Sequence, residues 1–64
     1  MRPVPKAEFF AAVNPLNVHP TIVTDRYPYT CEWRFLDRPH APPFGCTVGR
    51  IEAGVTVQDY FLAP

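Results

Sequence analysis

The sequence predicts an α+β fold, in which one short N-terminal helix packs on a curved, three-stranded antiparallel β-meander. Three observations carry this prediction: an early apolar segment with helical spacing, three later segments that alternate like strands, and a length of 64 residues, which suits a single domain. An apolar content of 47% is too high for a disordered chain. Since so short a chain buries only about 60% of the surface that its unfolded form exposes, we expect the core to need most of its large apolar side chains.

The helix is predicted over the segment KAEFFAAV, which follows Pro5. A proline suits the first turn of a helix, because the N–H that it lacks has no partner there. Phe9 and Val13 then lie one turn apart on the same side. The residue before a proline avoids the helical conformation, so the Asn14–Pro15 step predicts the end of the helix. A helix this short is unstable alone in water, and we expect it to lie on the sheet.

Three strands are predicted after the helix, at Tyr29–Leu36, Phe44–Ile51 and Val55–Leu62. A tight hairpin joins the last two strands, and we expect Gly54 to take the left-handed position that closes a three-residue loop. A longer, proline-containing connection joins the first two. The result is an antiparallel meander.

Residues 21–24 allow a fourth strand, because they are β-branched and extended in character. Pro20 and Pro28 each remove a ladder donor, which confines this segment to an edge of the sheet or to an ordered loop.

The pairing of the last hairpin is expected to be irregular. If Ile51 opposes Val55, the apolar side of the hairpin changes along its length. Either a bulge near Gly49 and Arg50 resets the alternation, or the hairpin twists so that its two ends bury opposite faces. In both cases the sheet is strongly curved.

One side of the first predicted strand forms an aromatic row, which comprises Tyr29, Cys31, Trp33 and Phe35. Such a row could stack the bases of a single strand of nucleic acid, or it could lie beneath the helix as core. We favour the core, because a small domain must place its aromatic side chains inside. Arg34 is expected on the opposite face, next to Glu32.

The two cysteines, Cys31 and Cys46, are expected to be free thiols in the core. A disulfide that closes the intervening loop is the alternative, but the chain has no secretion signal to place it in an oxidising compartment. Two histidines complete the number of ligands that a zinc site needs, at positions 19 and 40. The spacing of the four residues is unlike that of known zinc sites, so we expect no metal and no cofactor.

Catalysis has little support in the sequence. The chain contains no serine, which excludes a serine triad. Cys46 and His40 are the one combination of nucleophile and base, and no third group is evident to orient the histidine. A domain this small is also expected to have difficulty in enclosing a ligand pocket of about 300 Å³. We therefore expect a protein that is not an enzyme.

Charge and hydropathy indicate a soluble, cytoplasmic protein. Six basic and six acidic residues give a net charge of zero with no block of one sign, which makes nucleic acid and anionic lipid unlikely partners. No segment has the length of a signal peptide's apolar region or of a membrane helix. Five of the six basic residues are arginine, and alanine and proline are frequent, which suits a bacterial source with a GC-rich genome.

The leading functional hypothesis is a small interaction domain that binds a protein partner or a second copy of itself. Arginine, tyrosine and phenylalanine are enriched where proteins meet. We expect the partner-binding residues on the segment TDRYPY and on the loop at 37–43; they are Arg26, Tyr27, Arg38, His40 and Phe44. An open edge, at the last strand or at 21–24, would allow a homodimer by strand pairing.

The alternative hypothesis is a domain that binds single-stranded nucleic acid. Its bases would stack on Tyr27 and Tyr29, and Arg26 and Arg34 would contact the phosphates. Such binding weakens steeply as salt is added, which separates it from a protein interaction.

Overall fold

The computed structural model of the chain describes all 64 residues and contains a five-stranded antiparallel sheet with one helix on one face. The elements in chain order are β1 (Arg2–Val4), α1 (Lys6–Val13), β2 (Val18–Thr24), β3 (Tyr29–Phe35), β4 (Gly45–Glu52) and β5 (Val55–Leu62). The spatial order of the strands is β1-β5-β4-β3-β2. The α+β class and the antiparallel meander are therefore confirmed, whereas three strands were too few.

Helix α1 has the predicted bounds. Pro5 precedes it in an extended conformation, with φ of −64° and ψ of 154°. At the other end, the N–H of Asn14 donates to the carbonyl of Phe10 at 2.9 Å, and Asn14 itself keeps helical angles, with φ of −57° and ψ of −39°. The predicted bounds are thus confirmed, but the expected reason for the C-terminal end is not, because Asn14 stays in the helical region although it precedes Pro15.

Both edge strands contain a proline whose backbone nitrogen faces away from the neighbouring strand. The Leu36 N–H donates to the Asn17 carbonyl at 3.2 Å, so Asn17 directs its backbone hydrogen-bonding groups toward β3. Successive residues of an antiparallel strand direct these groups alternately toward and away from the neighbouring strand, so the backbone nitrogen of Pro20 faces outward. The Ala63 N–H donates to the Phe44 carbonyl, so Phe61, two residues earlier in β5, also directs its backbone groups toward β4. Pro3 opposes Phe61 in β1, and its backbone nitrogen therefore faces outward. Neither proline costs a ladder bond. Strand β2 is consequently seven residues long, whereas the sequence allowed only its last part.

The β4–β5 hairpin is regular, which corrects the expected register. Glu52 opposes Val55 across a two-residue turn, in which Ala53 and Gly54 both adopt left-handed conformations with φ of 51° and 79°. Ile51 therefore opposes Thr56, and no bulge occurs near Gly49. The expected three-residue loop was wrong because a non-glycine residue, Ala53, takes the first left-handed position. The irregularity in the sheet lies instead in β2, between Ile22 and Thr24.

The core is formed where α1 crosses the sheet. Phe9 is fully buried, and its ring lies 5.2 Å from that of Trp33 and 5.3 Å from that of Tyr60. The Trp33 Nε1 donates to the Thr47 hydroxyl at 3.1 Å, so the indole lies half-buried with its polar atom satisfied. The other buried apolar side chains of this core are Val4, Val13, Val18 and Leu62.

Gly45 allows the helix to approach the sheet this closely. A Cβ atom at this position would lie 2.8 Å from the carbonyl oxygen of Phe61 and 2.9 Å from the Phe9 ring. Both distances are shorter than real Cβ contacts, so the Phe9 ring occupies the space that a larger residue would need.

Helix α1 covers one half of its sheet face. Its eight residues span about 12 Å, whereas a strand of seven or eight residues spans about 23–26 Å. Trp33 and Phe35 lie at the covered half, and Tyr29, at the start of β3, lies beyond the helix. The prediction that the aromatic row is mainly core is therefore right for Trp33 and Phe35 and wrong for Tyr29, which is 51% exposed, while Cys31 is half-buried.

Candidate interaction site

The uncovered half of the helix-bearing face presents four large apolar side chains, which we call the open sheet end. Strand β2 contributes Ile22, the β2–β3 turn contributes Tyr27, and β3 and β4 contribute Tyr29 and Ile51. Their exposed fractions are 71%, 55%, 51% and 57%. The two hairpin turns, at 25–28 and 53–54, lie at this end of the sheet. An exposed apolar cluster of this kind is typical of interaction surfaces.

The two tyrosines are held in place by the strand ends. Their rings pack edge to face, with centroids 6.1 Å apart and planes at 90°. The pairing of β3 with β4 ends at Tyr29 and Gly49, which leaves the N–H of Ile51 without a strand partner. The Tyr27 hydroxyl accepts that N–H at 3.2 Å. The Tyr27 hydroxyl and the Ile51 N–H therefore satisfy each other at the open sheet end.

The strand positions of the open sheet end carry no charged side chain, whereas Asp25 and Arg26 lie at its border on the β2–β3 turn. The strand positions between and beside its four members are occupied by Cys31, Gly49, Thr56 and Gln58, as the registers of β3, β4 and β5 show. The nearest arginine in sequence, Arg26, lies on the β2–β3 turn and forms no ion pair.

The charged side chains of β3, β4 and β5 lie on the other face of the sheet, where they pair with one another. Arg50 donates to Asp59 at 2.6 Å and also to Glu52. These hydrogen bonds raise the pKa of Arg50, and the bonds from Arg50 hold the pKa of Asp59 below its ordinary value. Arg34 donates to Glu32 at 3.0 Å, on the face opposite Trp33 as expected.

The five sequence-predicted site residues are divided between the two ends of the sheet. Arg26 and Tyr27 lie at the open sheet end. The other three lie at the far end, in the β3–β4 connection. Arg38 lies 3.9 Å above the Phe35 ring, and His40 is exposed without a side-chain hydrogen bond. Phe44 packs on Phe35, with ring centroids 5.8 Å apart, and is partly buried against the core.

The two cysteines lie on opposite faces of the sheet. Cys31 opposes Thr47, and Cys46 opposes Glu32, so neighbouring strands carry the two side chains in opposite directions. Both thiols are free and half-buried. Burial, with smaller contributions from Glu32 and Cys31, raises the pKa of the Cys46 thiol. No group of three or more His, Cys, Asp or Glu side chains is arranged to hold a metal ion.

An open cleft of about 550 Å³ lies between β1, the start of α1 and the edge of β5. Its size exceeds what we expected of so small a domain, but it opens widely to solvent. Its charged lining residues are Lys6 and Asp59, and the Asp59 carboxylate is held by Arg50. The one carboxylate of the cleft is therefore engaged in an ion pair.

Sequence reasoning missed Ile22 and Ile51 and placed Tyr29 in the core. Element lengths were the signal that could have found them, since a helix of eight residues is too short to cover strands about twice as long.

The structure contains no helix with the length and apolar character needed to cross a bilayer. Comparison of the chain with family models, with curated proteins and with solved structures finds no match.

Proposed function

We propose that the chain is a small, non-enzymatic interaction domain that docks a protein partner on the open sheet end. The observation that carries the proposal is the incomplete cover of the sheet: α1 buries one half of the face and leaves Ile22, Tyr27, Tyr29 and Ile51 more than half exposed. A chain that needs its apolar side chains for folding leaves four of them together in solvent. Tyrosine is enriched at the centres of protein interfaces, because it combines a large apolar ring with a polar tip.

The size of the surface fits this role. Taking roughly 200 Å² for a fully exposed large side chain, the four residues present roughly 450 Å². The largest apolar patch on a typical monomer covers about 300–600 Å² and is often functional, and a standard interface buries about 800 Å² on each partner. The open sheet end therefore supplies the centre of an interface whose rim comes from the two hairpin turns.

The reactive groups of the chain support a role in binding. The Cys46 thiol has a raised pKa and stays protonated near neutral pH, so it is a poor nucleophile. The single base considered for it, His40, lies on an exposed loop. Arg50 holds the Asp59 carboxylate.

Single-stranded nucleic acid is the second candidate partner. It is favoured by the position of Arg26, which lies next to Tyr27 and forms no ion pair. Arg34, the second arginine of that hypothesis, is on the opposite face and donates to Glu32 and to the Ala41 carbonyl. A single free cation offers little neutralisation of phosphates, so we rank this candidate below a protein partner. Affinity for a labelled oligonucleotide that falls steeply with added salt would reverse the ranking.

Capture from the native host tests the proposal. Wild-type protein is immobilised beside two single variants, Ile51→Lys at the open sheet end and Leu36→Lys as a matched control. Leu36 is 63% exposed and lies at the far end of the sheet. We expect proteins that the wild type and the Leu36→Lys variant retain and the Ile51→Lys variant releases. If all three retain the same proteins, the open sheet end is not the docking surface.

A further inference from the structure

We propose that a second copy of this chain covers the open sheet end, so that the two sheets face each other there in a two-fold dimer. The inference rests on the proposed function and names the partner of the same surface. Three properties of the structure carry it, namely the layer that α1 leaves incomplete, the absence of charge at the strand positions of the open sheet end, and the area available.

The first property is the half-built second layer. Small domains are built from two packed layers, and here α1 supplies the second layer above Trp33 while nothing lies above Tyr29. A helix and a facing sheet both pack about 10 Å above a sheet. The open sheet end of a second copy can therefore lie in the same layer as α1, beside it, without displacing it.

The second property is charge. In a two-fold interface the same patch meets itself, so a charged side chain near the axis meets a like charge. The open sheet end carries tyrosine, isoleucine, threonine, glutamine, glycine and cysteine, and every strand-borne arginine and carboxylate of β3 to β5 points to the other face. Self-contact thus brings no like charges of the strands together, and the two charges of the adjoining β2–β3 turn, Asp25 and Arg26, have opposite signs.

The third property is area, and it indicates a weak dimer. The roughly 450 Å² of the four side chains is about half of the 800 Å² that each partner of a standard interface buries. We therefore expect dissociation constants in the micromolar range, about 1 μM to 100 μM.

Packing through this face explains the structure better than pairing through an edge. An added strand needs outward N–H and C=O groups, and the outward positions of the two edge strands include Pro20 in β2 and Pro3 in β1. The bulge next to Ile22 interrupts the β2 edge further. A homodimer by edge-strand pairing would thus have few bonds to form.

Sedimentation equilibrium with charge variants of Ile51 tests the inference. The wild type is expected to change from monomer to dimer between about 1 μM and 1 mM. The Ile51→Lys and Ile51→Glu variants each place like charges across the interface, and each is expected to dissociate at least tenfold more readily. An equimolar mixture of the two variants is expected to dimerise again, because lysine then faces glutamate. The Leu36→Lys control should behave as the wild type does.

Two readouts keep these outcomes interpretable. Ile51 is exposed at a hairpin end and its N–H remains bonded to Tyr27, so Trp33 fluorescence should show that both variants fold. The Ile22→Lys variant repeats the test on another strand. A wild type that stays monomeric at 1 mM, a Lys variant that dimerises normally, or a mixture that stays monomeric would each overturn the dimer. If host proteins are still captured through Ile51 in that case, the proposed function stands and the inference about the second copy fails alone.

Discussion

Replacing Gly45 by alanine should destabilise the fold more than any other single added methyl group on β4. The new Cβ would lie 2.8 Å from the Phe61 carbonyl oxygen and 2.9 Å from the Phe9 ring. The carbonyl is fixed by strand pairing, and the ring is fully buried against Trp33 and Tyr60, so neither atom can move without disturbing the core. Overpacking of this kind costs about 1–3 kcal/mol. The reduced entropy of the unfolded chain offsets about 0.4–1 kcal/mol, which leaves a net loss of roughly 1–2 kcal/mol.

Such a loss is large for this chain. At about 0.05–0.15 kcal/mol per residue, 64 residues have a free energy of unfolding of roughly 3–10 kcal/mol. Urea unfolding followed by Trp33 fluorescence measures the change directly, because this tryptophan is the only one in the chain and lies under α1. With a urea dependence of about 1 kcal/mol per molar, we expect the midpoint to fall by about 1–2 M.

Gly49 provides the matched control. It is buried on the same face of β4, but the nearest atom to an added Cβ is Nε2 of Gln58, at 3.2 Å, at the end of a flexible side chain. We expect Gly49→Ala to change the midpoint by less than half as much. Equal midpoints for the two variants would refute the close approach of α1 to the sheet.

Three further predictions concern hydrogen bonds and ionisation. Thr47→Val removes the acceptor of the half-buried Trp33 Nε1 and should lower the free energy of unfolding by about 1 kcal/mol; an unchanged urea midpoint would contradict this. Because Arg50 lowers the pKa of Asp59, the stability from this pair is present above about pH 3.9, the unfolded value, and is lost as pH falls through the lower folded value. Asp59→Asn should therefore flatten the fall of the urea midpoint at acid pH, and an unaltered pH profile would argue against the pair. Burial raises the pKa of Cys46, so iodoacetamide should modify it more slowly at pH 8 than it modifies a free cysteine, and equal rates by mass spectrometry would count against that burial.

Much of the fold was predictable because its strongest signals are local. The bounds of α1 agree with the positions of Pro5 and Pro15, and those of β5 agree with the predicted segment Val55–Leu62. Each of these signals acts within a few residues of the feature that it determines, so tertiary packing does not override it.

The edges of the sheet were less predictable, because their form depends on which way the backbone faces. In a central strand Pro20 would remove a hydrogen bond of the ladder, whereas in an edge strand it removes none if its backbone nitrogen faces outward. The sequence alone does not give that direction. Strand β1 is only three residues long and contains Pro3, so no alternation pattern can reveal it. The β4–β5 register depended on Ala53 adopting a left-handed conformation, which is uncommon for alanine.

The candidate site was predictable in part. Tyr27 was identified from its sequence neighbourhood, and it lies at the open sheet end. Tyr29 alternates with Trp33 and so looks identical to a core residue; only the reach of α1 separates the two. Arg38 and Phe44 were grouped with Tyr27, although the β3–β4 connection carries them to the far end of the sheet.

A dilution series followed by amide NMR tests the central claim, that a second copy of this domain binds at the open sheet end. Spectra would be recorded from about 1 mM to about 10 μM, which brackets a weak interface. We predict that the amide resonances of Ile22, Tyr29 and Ile51 shift together along one binding curve, while those of Val13 and Phe9 in α1 stay in place. Shifts confined to the β3–β4 connection, or no concentration dependence at the open sheet end, would contradict the account.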